Sequence, residues 1–237
     1  MITIAHLYYD LMNLYGEHAN IRALREHFKK QEVETEVVYL SKNDQINFYK
    51  YDIYYMGMGT EKNQQIVLED LMKYHSDIKK SIKSKLFIIT GNSLELFGQD
   101  LITSDNNKIN TLGIFNYYTK NIPSRIVEEA LMKTSLIEEP IIGFQNREGI
   151  INDIDNYWFD VINGTGSNNE IKKEGYHQNG FYGTYLIGPI LIRNPYLTDY
   201  FVKLIMDKKQ LKFKANNEGV EYQAYQANID NAIKKAE

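Results

Sequence analysis

The chain contains no cysteine among its 237 residues. That absence excludes a disulfide, a thiolate-held zinc, an iron–sulfur cluster and a cysteine nucleophile, and it fits a reducing compartment. Only 4 prolines and 15 glycines are present, far from the compositions of collagen-like or low-complexity chains. Neither sign of charge dominates: 27 Lys and Arg face 31 Asp and Glu, a net charge of −4. Without clustered cations, nothing points to a nucleic-acid partner. No apolar run approaches the roughly 18 residues of a membrane span. The opening Met1-Ile2-Thr3-Ile4-Ala5-His6 lacks the basic start and long apolar core of a signal peptide. The expectation is a cytoplasmic protein with no membrane span.

What is present is an ordinary globular composition, 43 % apolar and 24 % charged, with length enough for one large domain. Short β-like runs alternate with longer helical ones. Strands are predicted at Ile2 to Tyr8, Glu34 to Leu40, Ile53 to Met56 and Leu86 to Ile89, and helices at Ala19 to Lys30 and about Asn63 to Lys83. In the second helix Val67, Leu71, Tyr74, Ile78 and Ile82 follow the 3.6-residue period. The unbroken apolar run at Leu86-Phe87-Ile88-Ile89 suits a strand covered on both faces. Strands alternating with helices imply parallel pairing through right-handed crossovers. The predicted class is α/β, an open, doubly wound, mostly parallel sheet with flanking helices.

The second half reads as β-rich and loop-rich, through Gly113 to Phe115, Ile141 to Phe144, Tyr157 to Ile162 and Phe181 to Ile192. Pro195 opens a helix with an apolar stripe at Leu197, Tyr200, Phe201, Leu204 and Ile205. The expected organisation is one domain over 1–209, then a linker and C-terminal helix over 210–237. Tyr222, Tyr225, Ile229 and Ile233 on that helix would dock on this chain or on another.

Ligands of open α/β sheets bind beyond the carboxyl ends of the strands, where three segments should converge. Gly57-Met58-Gly59-Thr60 follows the third strand; its N–H groups could face an anion, or the glycines could serve only a tight turn. Thr90-Gly91-Asn92-Ser93 follows the buried strand and leads into Leu94-Glu95-Leu96-Phe97, the geometry of a nucleophile elbow. Ser93 is a possible nucleophile, but the second glycine of Gly-x-Ser-x-Gly is missing, and capping roles suit Asn92 and Ser93. Gly183-Thr184-Tyr185-Leu186-Ile187-Gly188-Pro189 is a strand ending in a Gly-Pro turn, with isoleucine where a base would be useful. The histidines, His6, His18, His27, His75 and His177, show no metal-ligand spacing. His27 and His75 are expected at the surface or its boundary. No metal and no cofactor are expected.

These segments carry a resemblance. Met12-Asn13-Leu14-Tyr15-Gly16-Glu17 with Asn20 to Arg25, Gly57-Met58-Gly59-Thr60-Glu61 with Gln64, Gly113-Ile114 leading to Arg125, Gly143-Phe144-Gln145-Asn146, and Lys172 to Gly175 with Gly183-Thr184-Tyr185-Leu186 occur in order along the chain. Together they resemble glutamine amidotransferases of the cobyric acid synthase type, and most closely the small glutaminase subunits of lipid II isoglutaminyl synthases. In that family a cysteine at the elbow attacks the glutamine amide. A histidine after Gly-Thr-Tyr-Leu moves the proton, and ammonia passes to a synthetase.

The resemblance places Gly91 at the cysteine position and Ile187 at the histidine position. The loop Gly-Gly-Gly-Ser reads Gly57-Met58-Gly59-Thr60, Glu95 replaces a glutamine, and Arg147 follows Gln145-Asn146 where the family has Glu-Asn-His. Glycine has no side chain to attack with, and isoleucine cannot accept a proton, so the covalent route is removed outright. The resemblance implies a catalytically degenerate subunit, with a Mur ligase-like amidating synthetase of peptidoglycan precursors as its possible partner. An alternative is an amino-acid binding module that holds a glutamine-like molecule with Gly57, Gly59, Asn92, Ser93, Glu95, Arg125, Asn146 and Arg147, Arg125 taking the carboxylate. Another is a hydrolase with new chemistry at Ser93 or Glu95, with His177 or a partner's residue.

Overall fold

A computed structural model describes residues 1–236; Glu237, the last residue of the expected tail, lies outside the described residues. Strands β1 (Ile2–Leu7), β2 (Thr35–Leu40), β3 (Ile53–Met56) and β4 (Leu86–Thr90) lie close to their predicted positions. Further along come β5 (Asp100–Ile102), β6 (Lys108–Asn110), β7 (Tyr118–Lys133), β8 (Ile141–Asn152) and β9 (Phe159–Asn163). The last three are β10 (Lys173–Glu174), β11 (Tyr176–Gln178) and β12 (Phe181–Thr184). One sheet runs β11-β12-β4-β3-β1-β2 and is parallel throughout except for β11 against β12. The chain thus folds as the α/β class with a mostly parallel sheet. The β-rich second half forms another sheet, β10-β9-β7-β5-β6 with β8 on β7.

Burial on both faces explains the apolar strands. Phe87 and Ile89 face one cluster with Val67, Leu71 and Ile78, whereas Leu86 and Ile88 face the other with Leu24, Phe28, Leu197 and Phe201. The flanking helices are α1 (His18–Lys30), α2 (Glu61–Leu71), α3 (His75–Ser81), α4 (Ile190–Arg193), α5 (Pro195–Lys208) and α6 (Val220–Ala236). No helix among the described residues is long and apolar enough to cross a membrane.

Three local readings change. The helix predicted over Asn63 to Lys83 is broken by a 3₁₀ turn at Met72–Tyr74. The break accompanies packing of the Tyr74 ring on Phe48 and donation from its hydroxyl to the Asp44 carbonyl, a tertiary override of the local period. Gly113 to Phe115 forms no strand; Ile114 and Phe115 donate their N–H groups to the Phe97 carbonyl instead. The run from Phe181 is a strand only as far as Thr184, and Ile190 to Arg193 is helical.

Residues 211–218 carry no helix or strand. Beyond them α6 docks on its own chain: Tyr222, Tyr225 and Ile229 are buried, and Ile233 remains exposed.

Candidate functional site

The three segments meet at the carboxyl ends of β3, β4 and β12. Asn92 bridges the first two, its Oδ1 accepting from Gly59 N at 3.1 Å and its Nδ2 donating to Gly59 O at 2.9 Å. Ser93 Oγ donates to the Gly57 carbonyl. Ile187, fully buried, exchanges backbone hydrogen bonds with Phe144, which ties the third segment to Gly143-Phe144-Gln145-Asn146.

The glycines of the first loop answer to packing. A Cβ on Gly57 would lie 2.5 Å from Glu17 Cβ and 2.6 Å from the Met12 carbonyl oxygen, and one on Gly59 would overlap the Met12 sulfur. The loop between β1 and α1 presses on the site from above, and Leu14 N donates to the Met58 carbonyl at 2.9 Å. The Gly59 N–H expected to face an anion is already bonded to Asn92. The loop is a tight, closely packed turn.

Gly91 has φ +65°, a left-handed conformation that a side chain makes costly. A Cβ there would fall 2.5 Å from Met58 Cβ. Met58, itself buried, therefore occupies the space in front of the elbow. In the sequence Met58 is marked only as a departure from the resembled loop, which has glycine there.

Glu95 is buried, and burial raises its carboxyl to about pH 7 against the pull of Gln64, Tyr185 and Arg147. Its Oε2 accepts from Gln64 Nε2 at 2.7 Å and its Oε1 from Tyr185 OH at 3.0 Å. The same Gln64 amide also donates to the Asn92 carbonyl at 2.7 Å.

Arg147, expected in the ligand set, lines the cleft with its donors engaged inside the fold. The residue is 2 % exposed, with Nε bonded to Gln145 Oε1 at 2.7 Å. The Nη atoms donate to the carbonyls of Gly149, Gly166 and Ser167. It also stacks 4.2 Å from the centre of the Tyr185 ring. Burial lowers its pKa, opposed by the fields of Tyr185, Glu174 and Glu95. These partners use its donors within the fold.

Arg125 sits at the cleft rim, paired with Glu61 at 2.7 Å and Glu148 at 3.0 Å, and it donates to Asn146 Oδ1 at 3.0 Å. Asn146 in turn donates to Tyr15 OH at 2.7 Å. Two protein carboxylates thus occupy the guanidinium expected to take a ligand carboxylate. The cleft bounded by Met58, Gln64, Asn92, Glu95, Arg125 and Arg147 has a volume of about 10 Å³, which is no more than one water molecule occupies.

A second buried polar group lies beneath. Glu17 Oε2 accepts from Tyr55 OH at 2.5 Å and from Thr90 Oγ1, while Oε1 has no hydrogen-bond partner among the described residues. Burial raises its pKa. The histidines take no part in the cleft. His177 bonds the Phe181 carbonyl at 3.0 Å and stacks on Tyr182 at 4.0 Å. His27, expected near the surface, is 6 % exposed and bonded to Asp199 at 2.7 Å, because α5 and α6 cover it. No group of three metal-binding side chains occurs among the described residues.

A mostly parallel sheet whose buried strand β4 passes directly into a 3₁₀ helix at Gly91–Phe97, with a glycine loop beside it, defines a glutaminase-type α/β domain. Residues 3–195 match the CobB/CobQ-like glutamine amidotransferase domain, and the chain belongs to that family. It is 32 % identical over 235 residues to a lipid II isoglutaminyl synthase (glutamine-hydrolyzing) subunit GatD from Staphylococcus aureus, covering 98 % of this chain and 96 % of that one. A protein of the same name from Streptococcus pneumoniae is 31 % identical, over 88 % of this chain and 82 % of its own. The fold also matches the glutaminase domain of Trypanosoma brucei CTPS with bound acivicin (TM-score 0.55, 9 % identity, 90 % of this chain and 96 % of that one). A glutamine amidotransferase crystal structure matches similarly (TM-score 0.56, 12 % identity, 85 % and 98 %).

Proposed function

We propose that this chain is a non-hydrolysing glutamine amidotransferase-like subunit that supports a Mur ligase-like amidating synthetase acting on peptidoglycan precursors. The kinship with the two GatD subunits supports the pathway and a synthetase partner. The observation that carries the loss of hydrolysis is the pair Gly91 and Met58: the elbow offers no nucleophile, and a methionine side chain fills the space before it. Ile187 at the base position offers no proton acceptor. Ser93 is fully buried with its hydroxyl donated to a carbonyl, which argues against hydrolysis through Ser93. The filled cleft and the paired Arg125 argue against a glutamine-binding module.

The test is an amidation assay with the synthetase that co-purifies with the chain. Ammonium salts should support ATP-dependent amidation, glutamine should not, and adding the chain should raise the synthetase's activity or stability. Release of ammonia from glutamine at an ordinary glutaminase rate would overturn the proposal, as would failure to recover any synthetase.

A further inference from the structure

On the opposite side of the parallel sheet from α2, a groove of about 430 Å³ runs between α1, α4 and the start of α6. That volume falls within the range of small-molecule sites, roughly 300–1,000 Å³. Its floor is apolar, from Ala23, Pro189, Leu191 and Ile192. Ile192 is 47 % exposed, an apolar side chain left open to solvent along one wall.

Two polar features converge on this floor. His27 is 94 % covered, and its Nδ1 lies 2.7 Å from Asp199 Oδ1. Asp199 is held from its other oxygen by Tyr222 OH. The carboxylate accepts, so Nδ1 carries a proton, and in the neutral ring Nε2 then presents a lone pair. Nε2 has no protein partner, and His27 lines the groove. An oriented acceptor that reaches solvent within a mostly apolar groove is the kind of group that fixes a ligand's orientation.

The other feature is charge. The exposed face of α1 carries Arg22, Arg25, Lys29 and Lys30 against one acid, Glu26, on a chain whose net charge is −4. Lys30 is neutralised by Glu221. Arg22, on the rim of the groove, has no ion-pair or hydrogen-bond partner among the described residues.

We infer that this groove binds a small amphipathic hydroxy-carboxylate. Its apolar body lies on Leu191 and Ile192, its carboxylate meets the Arg22 guanidinium, and its hydroxyl donates to His27 Nε2. The site is separate from the filled cleft and does not depend on the function proposed above.

The experiment titrates the full chain calorimetrically with 3-(4-hydroxyphenyl)propionate, then with 3-phenylpropionate and 3-(4-hydroxyphenyl)propionamide, which lack the hydroxyl and the charge respectively. Saturable one-to-one binding of the hydroxy-acid is expected. Loss of either polar contact should weaken it roughly ten-fold, the scale of one hydrogen bond to a charged or buried partner. Arg22→Gln should erase the preference for acid over amide while preserving the preference for hydroxyl. Ile192→Asp, at an exposed position, should abolish binding with an unchanged melting temperature. Equal affinity for all three probes, an acid-to-amide ratio unchanged in Arg22→Gln, or no saturable binding of the hydroxy-acid would each overturn the inference.

Discussion

Met58 packs its side chain into the space directly before Gly91: a Cβ built on the glycine would lie 2.5 Å from Met58 Cβ and 2.8 Å from its Cγ. The two positions form a steric pair, and each residue is tolerated because of the other. A side chain at Gly91 must also accept φ +65°. Gly91→Cys should therefore destabilise the fold by about 2–4 kcal/mol, combining left-handed strain with overpacking. Adding Met58→Gly should recover at least about 1 kcal/mol, a coupling readable in a double-mutant cycle of urea unfolding. Strict additivity would show that the two side chains do not compete for space.

Glu95 gives a pH prediction with a definite sign. Its carboxyl titrates at about pH 7 in the fold, against 4.5 ordinarily. The folded state thus holds this proton more tightly than the unfolded state does. The resulting stability is complete below pH 4.5 and is lost as the pH rises through 7. The full loss is about 3 kcal/mol. Glu95→Gln, close in shape and uncharged, should flatten this dependence and be the more stable form at pH 8. Parallel pH–stability curves for the two proteins would count against a neutral Glu95.

Arg147 should behave as a structural cation. Arg147→Met leaves the buried Glu174 without its nearby positive field and removes a donor from the carbonyls of Gly149, Gly166 and Ser167, the last of which keeps the Ile151 N–H. A cost of about 3–5 kcal/mol is expected. Arg147→Lys should lose less, since the ammonium keeps the charge and can still serve part of that acceptor set. Equilibrium unfolding at neutral pH measures both.

The C-terminal helix is held by few side chains. Tyr225, 4 % exposed, packs near Leu131, Ile142 and Ile229 and donates to the Pro140 carbonyl at 2.7 Å. Tyr225→Ala should cost about 2–4 kcal/mol, allowing for a cavity at the edge of the core. Hydrogen exchange should rise over residues 220–234 and stay slow in β4. Equal acceleration in β4 would mean that α6 and the sheet open as one unit.

The parallel sheet was legible because its strands are covered on both faces. Continuous apolar runs such as Leu86 to Ile89, with helical periods between them, leave little choice of architecture. The second sheet was legible only as a tendency, because β7 changes register with β8 between Asn121 and Ile126, around Pro123. A proline confined to such an irregularity weakens the strand signal without preventing the strand. At the site, the resemblance places Gly91 and Ile187 where the family's chemistry is expected. It says nothing of which polar groups are already satisfied by one another. Asn92 on Gly59, Ser93 on Gly57 and Arg125 on Glu61 and Glu148 are contacts between segments distant in the chain.

From residue identity alone came the class of fold, the kinship, and the impossibility of a thiolate at the elbow or an imidazole at position 187, since an atom that is not encoded cannot be supplied by folding. Whether the remaining cleft stood open or filled was a matter of volume and direction. Those depend on where Met58, Glu95 and Arg147 come to rest against one another, and three-dimensional packing alone decided it.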